Sequence, residues 1–203
     1  MPHLPSRIAP LAVTACTATC AAGRGVDAFA QALMLRQSGL VYNDLNELPC
    51  WIGRVAGLED APLPQAFAAW ESRNHRLAWL GLNQHASRER ARAAIERHGA
   101  ARVALILGTS TSSIGETERA YRELDADGRF DAAQRASRVH NTNALAAFVQ
   151  QALGTRGPCL TISTACSSSA KVFASAQRLL HAGLVDAAIV GGVETLCGSV
   201  LYG

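Results

Sequence analysis

Apolar runs and polar interruptions alternate along this 203-residue chain in two periods, one of strands and one of helices. "ARVALILGTS" (101–110) is the clearest strand, an unbroken apolar run bounded by Gly108. "CLTIST" (159–164) and "VDAAIVGG" (185–192) predict two more. Between the first two, "TNALAAFVQQALG" (142–154) has helical spacing, with Asn141 or Thr142 as its cap and Gly154 at its end. Between the last two, Cys166 to His181 predicts a helix. Near the start, "IAPLAVTA" (8–15) predicts a buried strand, and "VDAFAQALMLRQSG" spaces Val26, Phe29, Leu33 and Met34 as a helix running to Gly39. Residues 40–64, rich in Pro, Gly and Asn, predict loops with a short strand around Trp51–Val55. A helical region from about Ala66 to His98 follows, broken near Gly81; "ETERAYREL" is a solvated helix and "DADGRFD" a loop. Alternating strands and helices predict an α/β fold with right-handed crossovers.

The helix after Cys166 is apolar nearly all round, through Ala170, Val172, Phe173, Ala174, Ala176, Leu179 and Leu180. Such a helix belongs between two layers. Composition agrees with a sizeable core, at 49% hydrophobic and 17% charged residues. A net charge of +3 is too mild to argue for nucleic acid, and no run reaches the roughly 18 apolar residues of a membrane span. "RIAPLAVTACTATCAAG" (7–23) has the outline of a signal peptide, but strand, loop and helix describe it better. Cysteines 16, 20, 50, 159, 166 and 197 follow neither disulfide nor zinc spacing, so free thiols in the cytoplasm are expected.

Cys166 is the residue with chemistry to explain. A helix beginning there would place its sulfur over unpaired N–H groups, whose dipole favours an anion by about 0.3–1 kcal/mol, up to ~2 when partly buried. At ~1.36 kcal/mol per unit, a thiol of pKa ~8.5 would fall toward ~7, while apolar burial pushes it back. The helix alone yields a poised thiol that still wants a histidine. His181 ends the same helix, too far along to serve, and His140 lies before another helix start. On the residues alone, Cys166 reads equally as nucleophile or as small core filler. "SSAK" (168–171) lacks the companion motifs of penicillin-binding enzymes, "DADGRFD" misplaces the glycine of a calcium loop, and "GTSTSSIG" lacks the lysine of a phosphate loop.

"STACSSSA", the helix behind it and "HAGLVDAAIVGGVE" together resemble the nucleophile region of the β-ketoacyl-[acyl-carrier-protein] synthases and related polyketide ketosynthases. "LAVTACTATCAAGRGVDAFAQALMLRQSGL" is similar to that family's opening strand, loop and first helix, and "ALILGTSTSSIGETE" to the strand and loop lining its acyl pocket, though with fewer glycines. The resemblance implies a thiolase-like layered αβαβα fold with a mixed sheet and a buried nucleophile helix, of which residues 1–203 would be the N-terminal half. It implies that Cys166 is the acyl-accepting nucleophile and that its backbone N–H belongs to the oxyanion hole. It places Thr111 and Ile114 beside the acyl tail, and Arg73 and Arg76 in docking of an acidic acyl carrier protein. No metal or cofactor is implied, since phosphopantetheine arrives on the carrier. Decarboxylative condensation in the family also uses two histidines and a lysine from its second half, expected beyond Gly203, so this chain alone is expected to be inactive. A homodimer or a ketosynthase heterodimer is implied. The alternatives are a non-catalytic, chain-length-factor-like partner, which usually lacks the cysteine, and a thiolase or starter-unit condensing enzyme. Acyl chain length and the choice between fatty-acid and polyketide pathways are not written in these motifs.

Overall fold

The computed structural model describes residues 10–84 and 86–202. Two short antiparallel pairs come first. β1 (Thr19–Cys20) pairs with β2 (Gly23–Arg24), and after α1 (Val26–Met34), β3 (Leu40–Tyr42) pairs with β4 (Trp51–Gly53). A 3₁₀ segment (Gln65–Trp70) leads into α2 (Arg73–Leu82) and α3 (Ser87–His98). Then come β5 (Val103–Gly108), α4 (Ile114–Arg122), α5 (Ala132–Ala136), α6 (Ala144–Leu153), β6 (Cys159–Ile162), α7 (Ser168–His181), β7 (Ala187–Gly192) and α8 (Gly198–Tyr202). The last three strands form one parallel sheet in the order β6-β5-β7, so parallel and antiparallel pairings sit in separate sheets.

The apolar run of β5 has a simple cause: every one of its residues is buried, as a central parallel strand covered on both faces requires. Because side chains alternate across a strand, its residues divide between two cores. Leu105 and Leu107 pack with Leu145, Phe148 and Val149 of α6 and with Trp70 and Ala78. Ala104 and Ile106 pack with Val172 and Ala176 of α7 and with Val185. Burying each large aliphatic side chain there contributes roughly 1.5–3 kcal/mol.

On the α6 side, His75 is fully buried and stacks on Phe148 with ring centroids 4.9 Å apart. Its Nδ1 lies 2.7 Å from the Trp70 carbonyl, which can only accept, so Nδ1 carries the proton and Nε2 is a buried acceptor. Burial lowers its pKa to about 4, against the opposing pull of the Trp70 bond and the Glu71 charge.

On the other side, α7 approaches the sheet over two glycines. A Cβ on Gly108 would stand 2.7 Å from the Ser168 carbonyl carbon and from the Ser169 nitrogen, and one on Gly192 would collide with the Ser169 side chain. The helix N-terminus therefore rests on β-strand backbone with no side chain between. Its sheet-facing residues Ser168, Val172 and Ala176 are buried, whereas Phe173, on the other face, is 52% exposed.

Several expectations are corrected here. Residues 10–15 of the expected first strand have no regular structure and are exposed, because no described strand pairs with them; residues 8 and 9 lie outside the described residues. α1 stops at Met34, well before Gly39, where Arg36 takes φ 53°. Gly39 has a different duty: a Cβ there would lie 2.3 Å from the Ala21 carbonyl carbon. The helical region breaks near Gly81 as expected, α2 ending at Leu82 with Asn83 as its C-cap and α3 beginning at Ser87, but it breaks also at Glu71–Ser72, where Ser72 caps α2 through its bond from the His75 N–H (3.1 Å). The cap of α6 is Asn143, with no side-chain bond, while Gly154 ends it at φ 80° as expected.

Two outcomes follow from this packing. Unfolded His75 takes up a proton near its ordinary 6.5 and folded His75 only near 4, so stability should fall as pH drops through that window, by roughly 3 kcal/mol in all. Urea unfolding measured from pH 7.5 to 4 should show this slope, and His75→Gln should flatten it. Gly108→Ala should destabilise by about 1–3 kcal/mol, lowering Tm by several degrees, since the new methyl meets backbone that cannot step aside.

Candidate active site

The sharp corner between β6 and α7 is built by hydroxyl side chains. The buried Ser168 Oγ accepts the Thr164 N–H at 2.9 Å and shares its own proton between the carbonyls of Ala165 (2.7 Å) and Thr109 (3.2 Å). Ser167 Oγ donates to the Thr164 carbonyl at 3.0 Å. Ala165 is thereby held at φ 51°, in the left-handed region that costs an L-residue about 1–2 kcal/mol. The turn it makes carries Cys166 outward, and Cys166 is exposed.

This corrects the expected corner. β6 ends at Ile162 and α7 begins at Ser168 with Ser167 as N-cap, so Cys166 stands ahead of the helix rather than in its first turn. The serines delay the helix: their side chains take backbone partners that a helical turn would use. All six cysteines are free. Burial pushes the thiols of Cys159 and Cys197 up, with the Glu118 charge adding to the shift at Cys197, so these two remain protonated fillers.

Beside the corner runs the loop from Thr109 to Ser113. Thr109 N–H donates to the Ile162 carbonyl (3.1 Å), and Ser163 Oγ donates to the Ser110 carbonyl (3.0 Å). From the opposite side the Glu194 carboxylate accepts the Thr111 hydroxyl at 2.9 Å and the Thr111 N–H at 3.3 Å, together with the Ser110 N–H. Thr111 is thus tied to the loop's anchor, and Ile114, half-buried, opens α4 directly after the loop. The structure brings Thr111 and the Cys166 corner onto one continuous polar lattice through Ser110 and Thr109. Glu118 ties α4 to the start of α8: burial would raise its pKa, but hydrogen bonds from Ser199, Gly198 and Cys197 hold it below the usual carboxylate range.

Arg73 and Arg76 lie in the first turn of α2, and their guanidinium groups are engaged within the chain. Arg73 binds Glu59 (2.8 Å) and the Leu196 carbonyl (3.0 Å), while Arg76 binds Glu71 (2.5 Å) and the Glu59 carbonyl (2.6 Å). Their side chains are only 22% and 24% exposed. Instead of a free basic pair, they fasten the 54–64 loop to α2. His140 bonds Thr117 on the surface, and His181 closes α7, whose 14 residues put it roughly 20 Å from the helix start. Among the described residues no group of three His, Cys, Asp or Glu could hold a metal ion, and no helix is long and apolar enough to cross a membrane.

Residue-by-residue reading missed the roles of Ser168 and Glu194. Ser168 carried a faint signal as one of a serine run; Glu194 closes the "GGVE" element, but its partners lie more than eighty positions away.

Comparison with known proteins fits this geometry. The chain is 32% identical over 114 residues to a highly reducing polyketide synthase of Didymella fabae, covering 56% of this chain and 6% of that protein. It superposes on a ketosynthase (ApeO) solved in complex with its chain length factor (ApeC) from Xenorhabdus doucetiae, with TM-score 0.72 and 34% identity, covering 88% of this chain and 46% of that one. The ishigamide ketosynthase/chain length factor gives TM-score 0.73 at 19% identity, covering 92% of this chain and 53% of that one, a likeness of fold. The chain thus spans about half the length of these solved ketosynthase structures and a small part of the curated synthase. The family model for the N-terminal domain of β-ketoacyl synthases matches residues 9–203, and with its strained cysteine corner and parallel three-stranded core the chain belongs to that thiolase-like family.

Proposed function

We propose that Cys166 is the acyl-accepting nucleophile of a condensing acyltransferase of polyketide or fatty-acid synthesis. The observation that carries this reading is an exposed thiol on a left-handed turn, held between strand and helix by buried hydroxyls. A buried filler cysteine needs no such turn. In the first step the Cys166 thiol gives up its proton, its sulfur attacks the thioester carbonyl carbon, and the bond to the phosphopantetheine sulfur breaks; that thiolate leaves and is protonated. The Cys166 backbone N–H donates to the oxyanion formed on the way. In the second step, loss of CO₂ from a malonyl thioester leaves an enolate carbon that attacks the acyl-Cys166 carbonyl. Cys166 then departs as thiolate and the product is lengthened by an acetyl unit. The histidines and lysine for decarboxylation and the second oxyanion donor are assigned to the remaining half of the family fold, and Thr111 and Ile114 to the wall of the acyl pocket.

An acyl carrier protein would deliver the substrate, and a second ketosynthase or a chain-length-factor-like subunit would form the dimer. Leu160, Phe173 and Leu184 are 45%, 52% and 58% exposed, an apolar surface suited to the other half of the fold or to such a twin.

In the full-length protein, incubation with an acyl thioester should add one acyl mass to Cys166, and Cys166→Ser should lower turnover at least about 10³-fold. Undiminished turnover by the variant would end the nucleophile reading; a wild type that neither takes an acyl group on Cys166 nor turns over would leave the non-catalytic partner. Charge reversal of Arg73 and Arg76 should lower Tm and impair carrier-bound and small thioesters alike, since both arginines fasten the fold. A selective rise in KM for carrier-bound substrate at unchanged Tm would instead assign them to docking.

A further inference from the structure

Glu194 is exposed, yet among the described residues no arginine or lysine forms an ion pair with it. Its charge is met by hydrogen-bond donors of a single loop. The Thr109 hydroxyl lies 3.3 and 3.4 Å from its two oxygens, the Thr111 hydroxyl 2.9 Å and the Thr111 N–H 3.3 Å from one of them, and the Ser110 N–H donates to the other. A carboxylate gathered by consecutive N–H and O–H groups holds them firmly, because each bond is charge-assisted. The same residues grip the cysteine corner on their other side. Thr109 donates to the Ile162 carbonyl and accepts from Ser168, and Ser110 accepts from Ser163. Glu194 itself follows β7, whose Gly192 lies against Ser169 of the nucleophile helix. The loop is therefore clasped between Glu194 and the turn that aims Cys166.

Resting on the reading of Cys166 as nucleophile, we propose that Glu194 is its positioning residue: the carboxylate holds the Thr109–Thr111 loop against the corner and so fixes where the sulfur points. Misplacing a reacting group by about 1 Å costs on the order of 10²-fold in rate.

The test is single-turnover acylation of the full-length protein by a small acyl thioester, scored per folded molecule with maximal rate and half-saturation separated. In Glu194→Gln an amide NH₂ faces donors, so the maximal rate should fall about 10- to 100-fold, half-saturation should change less than about 3-fold, and the Ser110 and Thr111 amides should exchange hydrogen faster. Glu194→Asp, which keeps the charge, should recover part of the rate. Wild-type rate in Glu194→Gln, or a loss that only tracks the unfolded fraction, overturns the proposal. Should Glu194→Gln fail to fold, Thr111→Val removes one donor alone; a 2- to 5-fold slower maximal rate supports the clasp and an unchanged rate overturns it. If the wild type itself takes no acyl group on Cys166, the nucleophile reading falls and this proposal with it; acylation insensitive to Glu194 overturns this proposal only.

Discussion

The structure depends on a contact between backbones. The first turn of α7 sits on β5 at Gly108, close enough that a single methyl would intrude on Ser168 and Ser169. With no side chain as spacer, the helix start is held at one height above the sheet, and packing at interior density leaves it little room to adjust. Gly192, on the neighbouring strand β7, leaves room beside it for the Ser169 side chain. Side-chain packing then continues the registration along the helix, through Val172 and Ala176 onto Ala104 and Ile106.

From that fixed height the corner has few choices. The chain must travel from Ile162 at the end of β6 to Ser168 at the start of α7, and Ala165 takes the left-handed conformation to do so. Such strain persists only where neighbours over-determine it. Here Ser168, 2% exposed, binds both sides of the turn and the Thr109 carbonyl. In this water-poor setting each satisfied bond is stronger, and each lost one costlier, than at the surface.

Ionisable groups are sorted by the same logic. His75, in the apolar layer around Phe148, is kept neutral by burial and stabilises through stacking and one carbonyl bond. Arg73 and Arg76 spend their donors on internal carboxylates and carbonyls and so shape a loop. Arg102 does the same between Asp186 and the Gly183 and Leu184 carbonyls where α7 turns into β7. Glu194 directs its charge at the loop beside Cys166.

Local pattern alone determined the three parallel strands, the helices α6 and α7 and the candidacy of Cys166, because apolar periodicity and the glycine at a helix end record burial and turning within a few residues. It also carried the family resemblance that the match over residues 9–203 bears out. Only tertiary structure decided the rest. An uncharged β-rich run at 10–15 announces a wish for burial but cannot name a partner, and none of the described strands takes it. Cys166 and Ser167 read as helix until distant Thr109 is in place to receive Ser168, where α7 actually begins. Two arginines three apart look like a free basic face until Glu59 and Glu71 fold against them. Glu194 has no meaning along the chain, because its partners reach it only when β5 and β7 lie side by side. Short-range periodicity encodes which residues leave water; it does not encode which distant donor meets which acceptor, since that choice is made by the chain's closure in three dimensions.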